Sequence, residues 1–320
     1  FVFGSVERLG IHASNVITID PRAAAVLTRA GFPVQPGAAP YAVGATEGLG
    51  KLGQYWAPGH STGLRVQYSD ADNENYGNER PGTSGRQSFG GIEARSHGAE
   101  QIRSDIGTSV SQLDVRSRFV NDLDMQFAVE NQKTRALDPT CSGRCDGELE
   151  GSPEITILGR AIAGSHQFEP STRRSARLQV KETLGGSGPT QLAKAGFDWI
   201  RLNQRSHIPL VFHGAYYFGE LPAIPGLLPQ AVSGVDAVSL GLPLLYIQGY
   251  GDSASAFVHQ DLAFFAQDDW KVTSRLTLRA GLRYQRQVWP GQRIAVSDVG
   301  GATYQYDFPQ DKNNVAPRVA

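Results

Sequence analysis

Two cysteines, seven histidines and a set of regularly spaced charges are the side chains of this 320-residue chain with the chemistry to form a site. Cys141 and Cys145 enclose three residues in PTCSGRCDGE. That spacing allows a small local disulfide in an oxidising compartment; free or partner-bound thiols are the alternative, and zinc would need two more ligands where no histidine is near. His12, His60, His97, His166, His207, His213 and His259 are scattered, without the i,i+4 pairing of a metalloprotease helix or the setting of a catalytic triad. Asp70, Asp72 and Glu74 alternate like the start of a calcium loop, but the sixth position is Asn75 instead of Gly and the twelfth is Pro81 instead of Glu, so a solvated loop is expected. The glycine pairs Gly90-Gly91, Gly185-Gly186 and Gly300-Gly301 and the run GTSG read as turns and loops, and no nucleophile elbow, P-loop or dinucleotide fingerprint is present. The expectation is a protein that is not an enzyme and carries no metal or cofactor.

The remaining candidates are charges spaced two apart. From Leu276 onward, Leu276, Leu278, Ala280, Leu282 and Tyr284 alternate with Arg275, Thr277, Arg279, Gly281, Arg283, Gln285 and Gln287. A strand sends alternate side chains to opposite faces, so one face is apolar and the other cationic. The same period recurs in Leu123, Met125, Phe127 and Val129 against Asp122, Asp124, Gln126, Ala128 and Glu130. It recurs again in Ala176, Leu178 and Val180 against Arg177, Gln179 and Lys181, and in Ala193, Ala195, Phe197 and Trp199 against Lys194, Gly196 and Asp198.

These patterns require long antiparallel strands. Ser255 to Val288 reads as two strands with a turn at Thr273-Ser274, and about 14 residues at about 3.3 Å each exceed the usual strand length and suit a tilted crossing of a membrane. Phe264, Phe265, Trp270, Tyr284 and Trp289 near the strand ends fit interfacial girdles. The alternative fold is a soluble β-sandwich with its apolar face inward. Composition agrees with strands and loops: 40% of residues are hydrophobic, with 37 glycines and 18 prolines. A net charge of -1 excludes a strongly basic nucleic-acid binder, and no apolar run is long enough for a transmembrane helix.

The run FFAQDDWKVTSRLTLRAGLRYQRQ, followed by NNVAPRVA, resembles the barrel of TonB-dependent outer-membrane receptors, in particular the Oar-like branch. FVFGSVERLG resembles an early barrel strand of that branch, with Arg8 directly after Glu7, and LGKLGQYWAPGHSTGLRVQYSDADNENYG and QLAKAGFDWIRL extend the similarity. The resemblance implies an all-β fold, a partial antiparallel transmembrane β-barrel of nine or ten strands with long extracellular loops. It implies outer-membrane lipid, TonB and a small solute as partners, with nucleic acid excluded. A whole barrel of this kind has about twenty-two strands, so the chain is expected to be a fragment of one barrel domain. TonB would be contacted through an N-terminal part, with its plug, that lies outside the fragment. Uptake of an unidentified solute is the implied function; surface adhesion or assembly through the loops is the alternative.

Under this reading Leu276, Leu278, Leu282, Tyr284, Phe127 and Val129 face lipid. Arg177, Lys181, Lys194, Asp198, Arg275, Arg279, Arg283, Asp124 and Glu130 face the lumen, where they pair with one another and a plug or contact a passing solute. Strands are expected at 1–9, 49–56, 62–69, 101–112, 121–132, 173–183 and 191–202, as well as the pair within 255–288. The connections 57–61, 113–120, 184–190 and 273–274 are short and those at 10–48, 70–100, 133–172 and 203–254 long, which places the long set outside the cell. Pro21 to Phe32 has helical spacing, with Pro at its start and Gly31 near its end. Pro209 to Pro222 is expected as a hairpin arm above the membrane.

Overall fold

The fold was obtained as a computed structural model, described for all residues except 77–88, 142–144, 146, 148, 227, 291–293, 298–302, 307–310 and 320. Pro81, the GTSG run and Gly300-Gly301 lie outside the described residues. Elements in chain order are β1 (Val2–Ile17), α1 (Pro21–Arg29), β2 (Gly37–Ala57), β3 (His60–Asn73), a 3₁₀ turn (Arg95–His97), β4 (Ala99–Arg116), β5 (Phe119–Ala136), β6 (Glu154–Ile157) and β7 (Ala161–Ala163). There follow β8 (Ser171–Ser187), β9 (Gln191–His207), β10 (Ala215–Phe218), α2 (Gly234–Leu240), β11 (Leu245–Ile247), β12 (Ala254–Lys271), β13 (Thr277–Val288), β14 (Ile294–Ser297), β15 (Thr303–Tyr306) and β16 (Asn314–Val319).

Ten of these strands make one sheet in the order β1-β2-β3-β4-β5-β8-β9-β12-β13-β16. Every neighbouring pair is antiparallel. The sheet is a barrel wall that does not close: β1 and β16 each have one partner in it. One rim carries tight turns. Ser117 takes the left-handed conformation at φ 51° between β4 and β5, and Gly59 does so at φ 78° between β2 and β3. A Cβ at Gly59 would lie 2.4 Å from the Val115 carbonyl oxygen, so the close approach of the two turns also requires glycine there.

The strands run beyond the expected boundaries. β2 has 21 residues and β4, β5 and β12 have 18 each, against the roughly ten a tilted crossing needs. Above the lipid both faces are solvated or covered by loops, so the alternation fades while the hydrogen-bond ladder continues. Strand ends were therefore hidden in the sequence. The turn before β13 is longer than expected, because Thr273 and Leu276 close a reciprocal pair of backbone hydrogen bonds (3.1 and 3.4 Å). Arg275 and Leu276 thus lie in the turn and not on the strand.

The opposite rim bears a folded cap. The main hydrophobic cluster lies there, built from Ile17, Ile19, Ala23, Leu27, Phe89, Ile155, Ile157, Phe218, Ala237 and their neighbours. α1 starts where Asp20 accepts hydrogen bonds from the Arg22 and Ala23 amides (2.9 and 3.2 Å) and Pro21 occupies the first turn. Its buried face is Ala23, Ala24, Val26 and Leu27. Arg22 donates to Asp236 at 2.6 Å, joining α1 to α2. The segment expected as a hairpin arm instead supplies β10 to a four-stranded sheet, β11-β10-β6-β7, in which β10 runs parallel to β6. Tyr216 and Tyr217 pair with Ile155 and Thr156 from a different loop, a partnership invisible in the local sequence.

Candidate functional site

The register decides which charges meet. Directly opposed residues on neighbouring strands share a face, and the row Leu123–Glu182–Phe197–Phe264–Tyr284 runs across five strands. One residue away, Asp124–Lys181–Asp198–Ala263–Gln285 forms the equivalent row on the other face. Phe127, Val129, Leu278, Leu282 and Tyr284 share the first face. Asp124, Glu130, Arg177, Lys181, Lys194, Asp198, Arg279 and Arg283 share the second. Among the expected girdle aromatics, Phe264, Trp270 and Tyr284 sit on the apolar face, whereas Phe265 has the parity of the charged face. The ring of Phe265 covers Gly196, where a Cβ would come within 2.8 Å of it.

The charged face forms local networks. Gln179 Nε2 donates to Asp198 Oδ1 at 2.8 Å, and Arg177 donates to Gln179 Oε1 at 2.9 Å. Asp124, Lys181 and Asp198 alternate in sign along their row, which places Lys181 between two carboxylates. Glu130 is met by Arg103 (3.5 Å), which also pairs with Asp105 (2.9 Å). Arg279 pairs with Asp269 at 3.4 Å, its direct register partner. Arg103, Asp105 and Asp269 were missed because a pattern within one strand says nothing about the strand beside it. Toward the cap, His259 stacks on Trp289 (ring centroids 4.2 Å, 17° between planes), with Asp261 3.3 Å from His259 Nε2. Trp289, expected at an interface with lipid, is thus held against a histidine.

The cap closes the loop rim with buried polar groups. His97 is 1% exposed; its Nε2 lies 3.2 Å from Glu154 and its Nδ1 3.5 Å from Glu93, while its ring packs on His166 at 5.0 Å. No group of three or more His, Cys, Asp or Glu able to hold a metal ion occurs among the described residues. Cys141 and Cys145 are joined in a disulfide with Cα atoms 5.5 Å apart. Asp138 anchors this loop. Its Oδ1 accepts from the amide and hydroxyl of Thr140 (both 2.9 Å), and its Oδ2 accepts from the Ser152 amide (2.8 Å), the Ser152 hydroxyl and the Ser165 hydroxyl (2.8 Å).

Burial by itself would raise the Asp138 pKa, but the hydrogen bonds from Ser152, Thr140 and Ser165 together outweigh it and hold the carboxyl below its ordinary 3.8. A depressed folded pKa stabilises the fold above the unfolded value, and that contribution is lost as pH falls through the folded one. Asp138 should therefore support the cap from neutral pH down to about 3.8, and the cap should loosen only in stronger acid. Replacing Asp138 by Ala leaves the buried Ser165 hydroxyl and the half-buried Ser152 donors without this acceptor and should cost the cap about 2–3 kcal/mol. Amide hydrogen exchange over 137–170 checks this; unchanged protection in the variant would refute the anchoring role.

The geometry is that of a membrane wall with an apolar face, a charged face and a cap on the long-loop rim. No curated protein matches the chain by sequence. Among solved structures, the outer membrane transporter YddB from Escherichia coli superposes with a TM-score of 0.50 at 11% identity, over 99% of this chain and 33% of YddB. The ferric yersiniabactin uptake receptor FyuA from Yersinia pestis gives 0.47 at 12% identity, over 99% of this chain and 38% of FyuA. The siderophore receptor PiuA from Acinetobacter baumannii gives 0.44 at 11%, over 99% and 42%. The chain thus spans about a third of the length of YddB and shares its fold. A family model for the outer membrane beta barrel domain matches residues 15–320, nearly the whole of the alternating wall and its cap. The chain therefore belongs to the outer membrane beta barrel domain family, its ten-stranded wall forming a partial, unclosed β-barrel.

Proposed function

We propose that residues 1–320 are part of one barrel domain of a TonB-dependent transporter that carries a solute across the outer membrane along the charged face. The observation that supports this best is the row Asp124–Lys181–Asp198, flanked by Arg177 and Gln179 and lying below a folded cap. Alternating charges on a wall enclosing water offer a polar solute successive weak contacts, while the opposite face, with Phe127, Leu278 and Leu282 exposed, suits lipid. Coupling to TonB would run through the N-terminal part of the intact protein. Deleting the energy-coupling segment of the full-length protein should abolish growth on the solute, and Lys181→Gln with Asp198→Asn should reduce uptake while leaving the barrel folded. Undiminished uptake after the deletion would reject transport.

A second reading, adhesion or assembly through the loops, is favoured by the exposed apolar side chains on the cap from the end of α2 to β12: Leu240, Leu244, Leu245, Tyr246 and Tyr250. Loss of cell contact on replacing these by serine, with uptake intact, would support that reading over transport.

A further inference from the structure

We propose that the apolar face carries a binding site for the phosphate of an outer-leaflet lipid, centred on Arg174 and Arg205. The two arginines are direct register partners on β8 and β9 and share a face with Leu178 and Trp199. Both are exposed. Like charges directly opposed in a sheet repel and destabilise the pair. No acidic side chain lies within hydrogen-bonding or ion-pair distance of either among the described residues. Their flanking partners in the row are Asn131 on β5 and Ala256 on β12, both uncharged. A depression of about 540 Å³ opens at this place, lined also by Lys133 and His207.

The face is asymmetric along the membrane normal. Within the strands from β5 to β13, its loop-side half carries Lys133, Arg174, Arg201, Arg205 and Arg286 and, among the described residues, no carboxylate; the exposed Asp252 lies in the loop that leads into β12. Its turn-side half includes the acids Glu182 and Asp268. The acids at the height of the pair on this face, Asp70 and Asp72, are half-buried and stand on β3, three strands from Arg174, roughly 14 Å at the usual strand spacing. An uncompensated cationic pair just beyond an apolar belt is placed for an anion at the depth of lipid headgroups. A phosphate oxygen set between the two guanidinium groups turns their repulsion into two charge-assisted hydrogen bonds. The acyl chains of the same lipid would lie on the apolar residues below.

The inference rests on the reading that the apolar face is the lipid face, and the test separates the two. The full-length protein is reconstituted with diphosphoryl lipid A or its dephosphorylated form, and retained lipid is counted by native mass spectrometry. The wild type should prefer the phosphorylated form. Arg174→Gln with Arg205→Gln should weaken retention by about fivefold per charge, on the order of thirtyfold for the pair, while the same two positions as Lys should keep most of it. Millimolar inorganic phosphate should not displace the lipid. Arg279→Gln with Arg283→Gln, on the opposite face of the wall in β13, should have no effect. Equal retention of both lipid forms, unchanged retention in the Arg174/Arg205 double variant, or displacement by inorganic phosphate would overturn the site. Loss only in the Arg279/Arg283 variant would instead show that the two faces had been assigned the wrong way round. Heat-modifiable migration confirms that each variant is folded.

Discussion

Refolded by itself into detergent micelles, the 320-residue chain should give no heat-modifiable, protease-resistant species and should aggregate instead. The reason is the two sheet edges. β1 and β16 each pair on one side only, so the outward N–H and C=O groups along both strands have no partner in the sheet. In hydrocarbon each such group costs several kcal/mol, and a handful exceeds the roughly 5–15 kcal/mol by which a folded domain is stable. In water the same edges recruit other chains. The exposed apolar face, including Phe127, Leu184, Phe264 and Leu282, adds to the drive for association. The wall itself holds little of the buried core, which is concentrated in the cap, so the cap can form contacts while the sheet cannot remain monomeric. A species whose gel mobility shifts on boiling, and which survives protease in micelles, would contradict this, because both properties report a closed barrel.

The second large effect concerns the two faces. In the full-length protein, Phe127→Arg should lower barrel stability by about 2–4 kcal/mol, the cost of an arginine near the bilayer midplane, whereas Gln126→Arg should cost about 1 kcal/mol or less. The two positions are neighbours near the middle of β5 and differ only in the side on which they emerge. Phe127 is opposed by Thr108 and Leu178, Gln126 by Ser109 and Gln179. Equilibrium unfolding from lipid vesicles measures both. Equal losses would mean that neither face meets lipid preferentially, and a larger loss at Gln126 would invert the assignment on which the solute path and the lipid-phosphate site depend.

How much of this was written in the sequence depends on the range of the interaction. A strand alternates its side chains by geometry alone, so Asp124, Lys181, Asp198 and Arg283 could be assigned to one face, and Phe127 and Leu282 to the other, without knowing any neighbour. The short and long connections could be told apart from the spacing of those patterns, and they define the two rims. Helix α1 was equally local: Asp20, Pro21 and the spacing of Ala23, Ala24 and Leu27 suffice to start it and bury one side. Its end was read slightly long, since the helix stops at Arg29 and the chain turns at Gly31 with φ 96°.

What only the tertiary structure decided is register and the cap. Pairing between strands depends on the shift of one chain segment against another, and a slip leaves each strand's own pattern unchanged. The Arg279–Asp269 pair, the Arg103–Glu130 pair and the opposition of Arg174 to Arg205 therefore had no signal within any one strand. The extra length of the strands was hidden for a related reason, because beyond the lipid no apolar face is required and the ladder alone sustains the β conformation. The cap joins residues far apart in the chain: Arg22 meets Asp236 across 214 positions, and His97 meets Glu154 across 57. Such contacts form because four of the long loops on that rim bring their apolar residues together, where they are buried against one another.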